Sequence, residues 1–263
     1  MELRDRTVIV TGATGGLGHA IARALAGRGA RLVLTGRRAA VLEPLAAELG
    51  AEAISADLSD RDDVARIAEA HVDADVVVHN AALPGSGPLD DYDLDALDRV
   101  LEVNLRAPIA LTRLLLPAMK GRGVGHHVYV SSMSAKVPTA DASLYAATKL
   151  GLRGFAQALR PELRPHGIGV STIFPGFISD AGMYADTGVS LPRGVGTNTP
   201  QEVADAVLRA IDRGRGEIDV APLGVRASAV LNAVAPGVPG RVAARIDGGR
   251  VGREMADAQR AKR

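Results

Sequence analysis

Short apolar runs rich in β-branched residues alternate with longer segments of helical period along most of this chain. Strands are expected at residues 7–11, 31–35, 51–56, 76–79, 127–131, 169–174 and 217–220, and helices at 17–27, 41–49, 62–70, 94–119, 144–163 and 200–213. Val76-Val77-Val78 is apolar without alternation, the pattern of a strand covered by helices on both faces. Leu17, Ile21, Ala24 and Leu25 share one face of the first helix, and Thr199-Pro200-Gln201-Glu202 reads as a capped helix start. Such alternation builds an α/β architecture with a doubly wound parallel sheet. The 263 residues suffice for one large buried core. A single domain is expected over residues 1–222, followed over 223–263 by a helical extension packed on the body and ending in a basic, frayed terminus. Two long loops, 82–92 and 176–198, follow the carboxyl ends of expected strands, the edge of an open α/β sheet where ligands bind.

The first strand runs directly into Thr11-Gly12-Ala13-Thr14-Gly15-Gly16-Leu17-Gly18 and then into a helix. A tight glycine turn lets a pyrophosphate approach the backbone at the free N–H groups and positive end of that helix. Side chains at Gly12, Gly16 and Gly18 would obstruct the turn, the phosphate approach and the helix–strand packing. A glycine cluster alone fits a structural turn equally well. Its placement between the first strand and the first helix points to a dinucleotide on a Rossmann fold. The second strand ends in Leu34-Thr35-Gly36-Arg37-Arg38, without the acid that NAD-preferring sites use to hold the ribose hydroxyls. Arg37 and Arg38 offer guanidinium groups to a 2′-phosphate instead. NADP(H) is therefore the expected cofactor, with NAD(H) second. The plainer alternative is a solvated helix start carrying incidental charge.

Tyr145 and Lys149 stand at i and i+4 on an expected helix and share a face. A free phenol with a pKa of about 10 is a poor proton shuttle at neutral pH, and a nearby ammonium favours the phenolate. The pair suits acid/base chemistry, although the spacing by itself is common. Ser132 lies at a strand end thirteen residues before Tyr145, where its hydroxyl could hold a substrate oxygen beside the phenol. Ser131 and Ser134 compete with it on chemistry alone.

Gly12 to Gly18, His79-Asn80-Ala81-Ala82, Asn104, Ser132, Tyr145-x-x-x-Lys149 and Pro175-Gly176 stand in an order and spacing that resembles the short-chain dehydrogenase/reductase family, from about Asp5 to Val220. The resemblance implies that Tyr145 protonates a carbonyl oxygen during reduction. Lys149 would lower the pKa of Tyr145 and hold the nicotinamide ribose, and Ser132 would hold the substrate oxygen. Asn104 would kink its helix and order a water that links Lys149 to solvent. Gly12, Thr14, Gly16, Leu17 and Gly18 would line the pyrophosphate. Asp57 and Leu58 would touch the adenine, Asn80 and Ala81 would follow the fourth strand beside the cofactor, and Pro175, Gly176 and Ile178 would set backbone against the nicotinamide. A homodimer or homotetramer through the long helices is likewise implied by the resemblance alone. Three departures stand out. Ala82 replaces a usual glycine and lacks its freedom at positive φ. Phe177-Ile178-Ser179-Asp180 stands where relatives often carry Thr, leaving Ser179 as its substitute. The C-terminal segment is longer than in compact members.

Composition narrows the alternatives. The formal net charge is +1 and aromatics make up 3%, which favours neither nucleic acid nor base stacking. With no cysteine, thiolate metal sites and disulfides are ruled out. His126-His127 lacks a third ligand at metal spacing, so a strand start is expected there and no metal. His79 is expected in the core, with a place near the cofactor as the alternative. Asp90-Asp91-Tyr92-Asp93 reads as a capped helix entrance. No apolar run approaches the about 18 residues of a spanning helix and no signal region precedes residue 7, so the expectation is a cytoplasmic protein. The tail cations Arg241, Arg245, Arg250, Arg253, Arg260, Lys262 and Arg263, together with residues 227–234, leave a peripheral membrane or partner surface as a minor alternative.

The leading functional reading is an NADPH-dependent carbonyl reductase or alcohol dehydrogenase acting on a mainly apolar small molecule. Residues 176–199 would form a lid made mobile by Gly182, Gly188, Gly194 and Gly196. Met183, Tyr184 and Leu191 would meet the substrate, and residues 84–88 would form the opposite wall. The second reading is a nucleotide sensor or scaffold without turnover, against which the complete Asn104, Ser132, Tyr145 and Lys149 set argues. An epimerase or dehydratase is a third, on the same fold.

Overall fold

The computed structural model describes residues 1–191, 195–247 and 250–259, with backbone only at 243–247. Gly194 of the lid and the tail side chains of Arg245, Arg260, Lys262 and Arg263 lie outside what is described. Seven strands, β1 (Thr7–Val10), β2 (Arg31–Gly36), β3 (Glu52–Ser55), β4 (Val76–His79), β5 (Gly125–Val130), β6 (Ile168–Pro175) and β7 (Glu217–Val220), pair in parallel in the order β3-β2-β1-β4-β5-β6-β7. The helices are α1 (Gly16–Ala26), α2 (Ala39–Leu49), α3 (Arg61–Ala70), α4 (Leu94–Leu101), α5 (Ala107–Arg122), α6 (Ser143–Leu163), α7 (Pro200–Arg213), α8 (Leu223–Val234), α9 (Val238–Asp247) and α10 (Arg250–Gln259).

Successive side chains of a strand point to opposite faces of a sheet, and the core divides accordingly. Val8, Val10, Val76 and Val78 pack with Ile21, Leu25, Val203 and Val207 of α1 and α7. Ile9 and Val77 pack on the other face with Leu111, Leu115, Leu152 and Leu159 of α5 and α6. Each such aliphatic side chain, fully withdrawn from water, contributes about 1.5–3 kcal/mol. This two-sided cover explains the unbroken valine run of β4. Local signals set the helix ends: Asp60 and Asp93 accept from Asp62 and Ala96 N–H groups, and Thr199 with Glu202 forms a reciprocal capping box. Asp93 caps α4 as the sequence reading expects.

Two features of the fold bear on the site. The helix expected over residues 94–119, which the resemblance has Asn104 kink, is α4 and α5 joined by a π-helical turn at Glu102–Arg106, with Asn104 buried at its centre. Insertions of this kind open a helix at the point where a side chain is needed. The extension, expected as a helix and a frayed end, folds into three helices through Gln259. Its last helix, α10, buries Val251, Ala256 and Gln259. It also ties down the lid: Gln259 Nε2 donates to the Met183 carbonyl (3.1 Å) and Arg250 to the Ser190 carbonyl (3.0 Å).

Candidate active site

The strand order turns back between β1 and β4, and this is where an open α/β sheet forms its ligand crevice. The glycine turn leaves β1 on one side of the crevice and Asn80 leaves β4 on the other. Thr11 Oγ1 accepts from the Asn80 and Ala81 N–H groups (both 3.1 Å), and Asn80 Nδ2 donates to the Thr11 and Gly12 carbonyls (3.0 and 3.1 Å). Asn80 therefore locks the turn to β4. Gly12 has φ +65°, and a Cβ there would lie 2.6 Å from Ala81 Cα. A Cβ on Gly18 would lie 2.3 Å from the Gly12 carbonyl oxygen. Gly16 is constrained differently: its Cβ would meet Ala181 of the lid at 2.2 Å, so the lid rests across the turn. Ala82 is not among the residues at positive φ, and the turn after β4 needs no glycine at that position. A cradle with no space for side chains at Gly12 and Gly18, facing the N-terminus of α1, fits a dinucleotide pyrophosphate.

At the outer edge, the Arg38 guanidinium donates to the Thr14 carbonyl (2.5 Å), and Arg37 lies 3.9 Å from Asp57. Arg99 holds the same Asp57 carboxylate at 2.7 Å, and Ser59 donates to it through its N–H and hydroxyl. Burial opposes ionisation of Asp57, but Ser59, Arg99 and Arg37 outweigh it and hold the carboxyl below the usual range. Leu58 is buried beside it. Arg37, Arg38, Asp57 and Thr14 thus form one charged rim at the carboxyl ends of β2 and β3.

At the inner end, Ser132 follows β5 and opens a short 3₁₀ turn, Met133–Ala135, whose Ser134 N–H donates to Ser132 Oγ (3.1 Å). Tyr145 and Lys149 project from the first turns of α6. Burial pushes the Tyr145 phenol up to about 12, with the adjacent Ser132 hydroxyl acting in the opposite direction. Burial also pulls Lys149 down to about 8. The Lys149 ammonium donates to the Val130 carbonyl (3.0 Å) and sits 5.5 Å from the centre of the Tyr145 ring. The phenol is protonated at neutral pH, the form in which it can act as an acid. Among the three serines, Ser131 donates to the Lys149 carbonyl (3.0 Å), Ser132 Oγ donates to Ser134 Oγ (3.3 Å), and Ser132 is the one beside the phenol.

Asn104 uses both ends of its amide on one residue: Oδ1 accepts from the Leu83 N–H (2.7 Å) and Nδ2 donates to the Leu83 carbonyl (2.9 Å). It thereby pins the 82–92 loop. Gly85 of that loop accepts from the Tyr145 N–H (3.2 Å), and a Cβ on Gly85 would lie 2.9 Å from that nitrogen. The sequence reading places residues 84–88 as a wall without singling out Gly85. Two further residues went unnoticed because their partners are distant in sequence. Lys136 pairs with Asp219 (2.6 Å) and Glu217 (3.0 Å) of β7 and anchors the Ser132 turn, and Thr11 couples β1 to β4.

The 176–199 lid is pinched at its base. Gly176, which follows β6 next to Pro175, donates its N–H to the Val220 carbonyl at the end of β7, and buried Ile178 bridges Asn198. Ser179 donates to Asp180 and to the Asn198 carbonyl. Tyr184 packs edge-on against Phe177 and donates its hydroxyl to the Val189 carbonyl (2.7 Å), so it braces the lid, and Met183 carries the carbonyl held by Gln259. His79, His126 and His127 lie in the core: His79 meets His127 at 3.2 Å, and His126 meets Ser171 at 2.8 Å.

Fold and site together define a nicotinamide-dependent oxidoreductase. A family model described as short chain dehydrogenase matches residues 6–188, and the chain belongs to the short-chain dehydrogenase/reductase family. It is 37% identical over 227 residues to a ketoacyl reductase, HetN, of Nostoc sp., covering 83% of this chain and 79% of that protein. It is 34% identical over 258 residues to dehydrogenase/reductase SDR family member 7B of Bos taurus, covering 90% and 79%. Among solved structures, a short-chain dehydrogenase from Sphingobium yanoikuyae in complex with NADPH superposes with a TM-score of 0.76 at 29% identity, over 87% of this chain and 93% of that one. A 3-ketoacyl-(acyl-carrier-protein) reductase from Brucella melitensis complexed with NADH gives 0.74 at 27% identity, over 82% and 97%.

Proposed function

We propose that this protein is an NADPH-dependent carbonyl reductase, running in reverse as an alcohol dehydrogenase, on a mainly apolar small molecule. The observation that carries this reading is a half-buried phenol flanked by a serine hydroxyl and a fully buried ammonium at the carboxyl edge of the sheet. Gly12, Thr14, Gly16, Leu17 and Gly18 would hold the pyrophosphate, and Arg37 and Arg38 the 2′-phosphate. Asp57 and Leu58 would flank the adenine, and Asn80, Ala81, Pro175, Gly176 and Ile178 would shape the nicotinamide end. A bound nicotinamide supplies the hydride.

The chain's own residues manage the proton. The Ser132 hydroxyl orients the carbonyl oxygen. Tyr145, a phenol that is protonated at neutral pH, gives that oxygen its proton. The Lys149 ammonium, 5.5 Å from the ring, offsets the phenolate charge that this transfer creates. Both ends of the Asn104 amide are bound to Leu83, so a proton relay past Asn104 would use its main-chain carbonyl in the π turn. The relative named a ketoacyl reductase and the neighbour solved with NADPH support the reaction and the cofactor. The neighbour solved with NADH keeps NAD(H) as the second cofactor.

Tyr145→Phe tests the mechanism. Turnover of a carbonyl panel with NADPH should fall by about a hundredfold to ten-thousandfold, the usual worth of a general acid, while NADPH affinity stays within a few-fold. Undiminished turnover would remove Tyr145 from the chemistry. Tight NADPH binding by the unsubstituted protein without turnover of any carbonyl would favour an idle nucleotide binder.

A further inference from the structure

Helix α8 presents apolar residues on two sides. One side is seated: Ala229 packs with Met133, Ala135 and Phe174, Val225 lies against that cluster, and Asn232 Nδ2 donates to the Lys136 carbonyl at 2.9 Å. The other side carries Leu223, Ala227, Val230, Leu231 and Val234, which follow one another at helical spacing and form a continuous stripe. Leu223 is 79% exposed, Val230 70% and Val234 78%. Val242 of α9 is exposed as well. Such a stripe is unusual on a helix that already has its buried face.

Charge says what covers it. From Ala221 to Ile246 the sequence contains no Asp or Glu, while Arg226 and Arg241 are exposed and form no ion pair among the described residues. A second copy meeting this one through the same patch would bring the arginines together with no carboxylate from either stripe between them. An apolar stripe with unpaired arginines at its margin instead matches an anionic bilayer surface, where acyl chains take the valines and leucines and headgroup phosphates take the guanidinium groups.

We infer that α8, with the start of α9, is a docking surface for the anionic face of a lipid membrane. The location gives the surface a use. α8 begins three residues after β7 ends, on the ligand-binding edge of the sheet, and Asn232 holds the loop four residues beyond Ser132. A protein docked this way sets its crevice against the lipid phase, from which an apolar substrate would enter.

The experiment is sedimentation of the full chain with vesicles of phosphatidylcholine alone and of phosphatidylcholine with about one-third phosphatidylglycerol. Capture is expected on the anionic vesicles, weakened by added salt. Val230→Glu with Val234→Glu should reduce the partition coefficient by at least about tenfold, since each places a charge where acyl chains would lie. Arg226→Glu should weaken binding at low salt more than at high salt. Both variants alter exposed side chains, so thermal melting and NADPH binding should match the parent protein. The inference is overturned if anionic vesicles fail to capture the protein, or if capture is indifferent to the double substitution. It is also overturned if the stripe mediates self-association that the substitutions dissolve, without vesicle capture. None of these readouts requires turnover, so they stand apart from the reductase reading.

Discussion

His79, His126 and His127 make a sharp test of how the sheet core is built. They sit on the neighbouring strands β4 and β5, buried, with the His79 and His127 rings stacked on Tyr129. Burial is the main cause that pulls all three pKa values down. His126 falls to about 4, aided by positive neighbours, and His127 to about 3, aided by His126, while His79 lies well below its ordinary 6.5. The folded protein therefore keeps these rings neutral where the unfolded chain would protonate them. For a base with a lowered folded pKa, stability is fully present above the unfolded value of about 6.5 and is lost as pH falls towards the folded value. Integrating the proton difference from pH 7 to pH 5, a single such histidine costs about 2 kcal/mol, so His126 and His127 together cost about 4 kcal/mol, and His79 acts in the same direction. That is a large share of a typical domain stability of about 5–15 kcal/mol. The lowered carboxylates, among them Asp57 and Glu217, lose their contributions only below their ordinary values near 4, so pH 5–7 isolates the histidines, with His19, also lowered by burial, adding in the same direction. Urea unfolding followed by circular dichroism at pH 7, 6 and 5 reads the slope. His127→Gln keeps an amide able to bond His79 and removes one titrating group, so it should lose about 2 kcal/mol less than the parent over that interval. An unchanged pH slope in that variant, or a parent protein whose stability is flat from pH 7 to 5, would refute the account of a buried neutral cluster.

Two further outcomes concern the cofactor and the proton. Replacing Arg37 and Arg38 with Ala should weaken NADPH binding by about tenfold to a hundredfold, the worth of charge-assisted contacts to a phosphate, while NADH affinity changes little. Equal losses in side-by-side titrations would mean that these arginines do not read the 2′-phosphate. Because burial lowers Lys149 to about 8, the ammonium is present below that pH and lost above it. The reductive kcat/KM should fall by about tenfold per unit as pH rises beyond 8, and Lys149→Met should abolish that limb at a lower plateau. A parent profile flat to pH 9.5 would deny the ammonium its role.

The sequence exposes features whose causes are local. The β4 valines announce a strand buried on both faces, Asp93 and Thr199 announce their helix starts, and Gly12 and Gly18 announce a turn without space for a Cβ. Tyr145 and Lys149 were legible for the same reason, since helical spacing alone puts them on one face. Ser132 needed the family's spacing, because nothing local separates it from Ser131 and Ser134. The helix break at Asn104 also came from the resemblance. Its physical cause, a side chain bound at both ends to Leu83, joins residues 21 apart and leaves no periodic trace.

The contacts that went unread share that character. Gly16 meets Ala181, Lys136 meets Asp219, and Gln259 reaches back to Met183, each across a separation that only the finished sheet order brings together. These three contacts position the lid, the serine turn and the C-terminal helix around the crevice. The residues proposed to manage the proton were therefore readable in advance as neighbours, because strand ends and one helix face place them. The walls that choose a substrate were not, because long-range packing places those. Asn232 illustrates the difference: in sequence it is an ordinary polar residue in an Ala/Val-rich segment, and in the fold it fastens α8 beside the loop that follows β5 and so turns the apolar stripe outward.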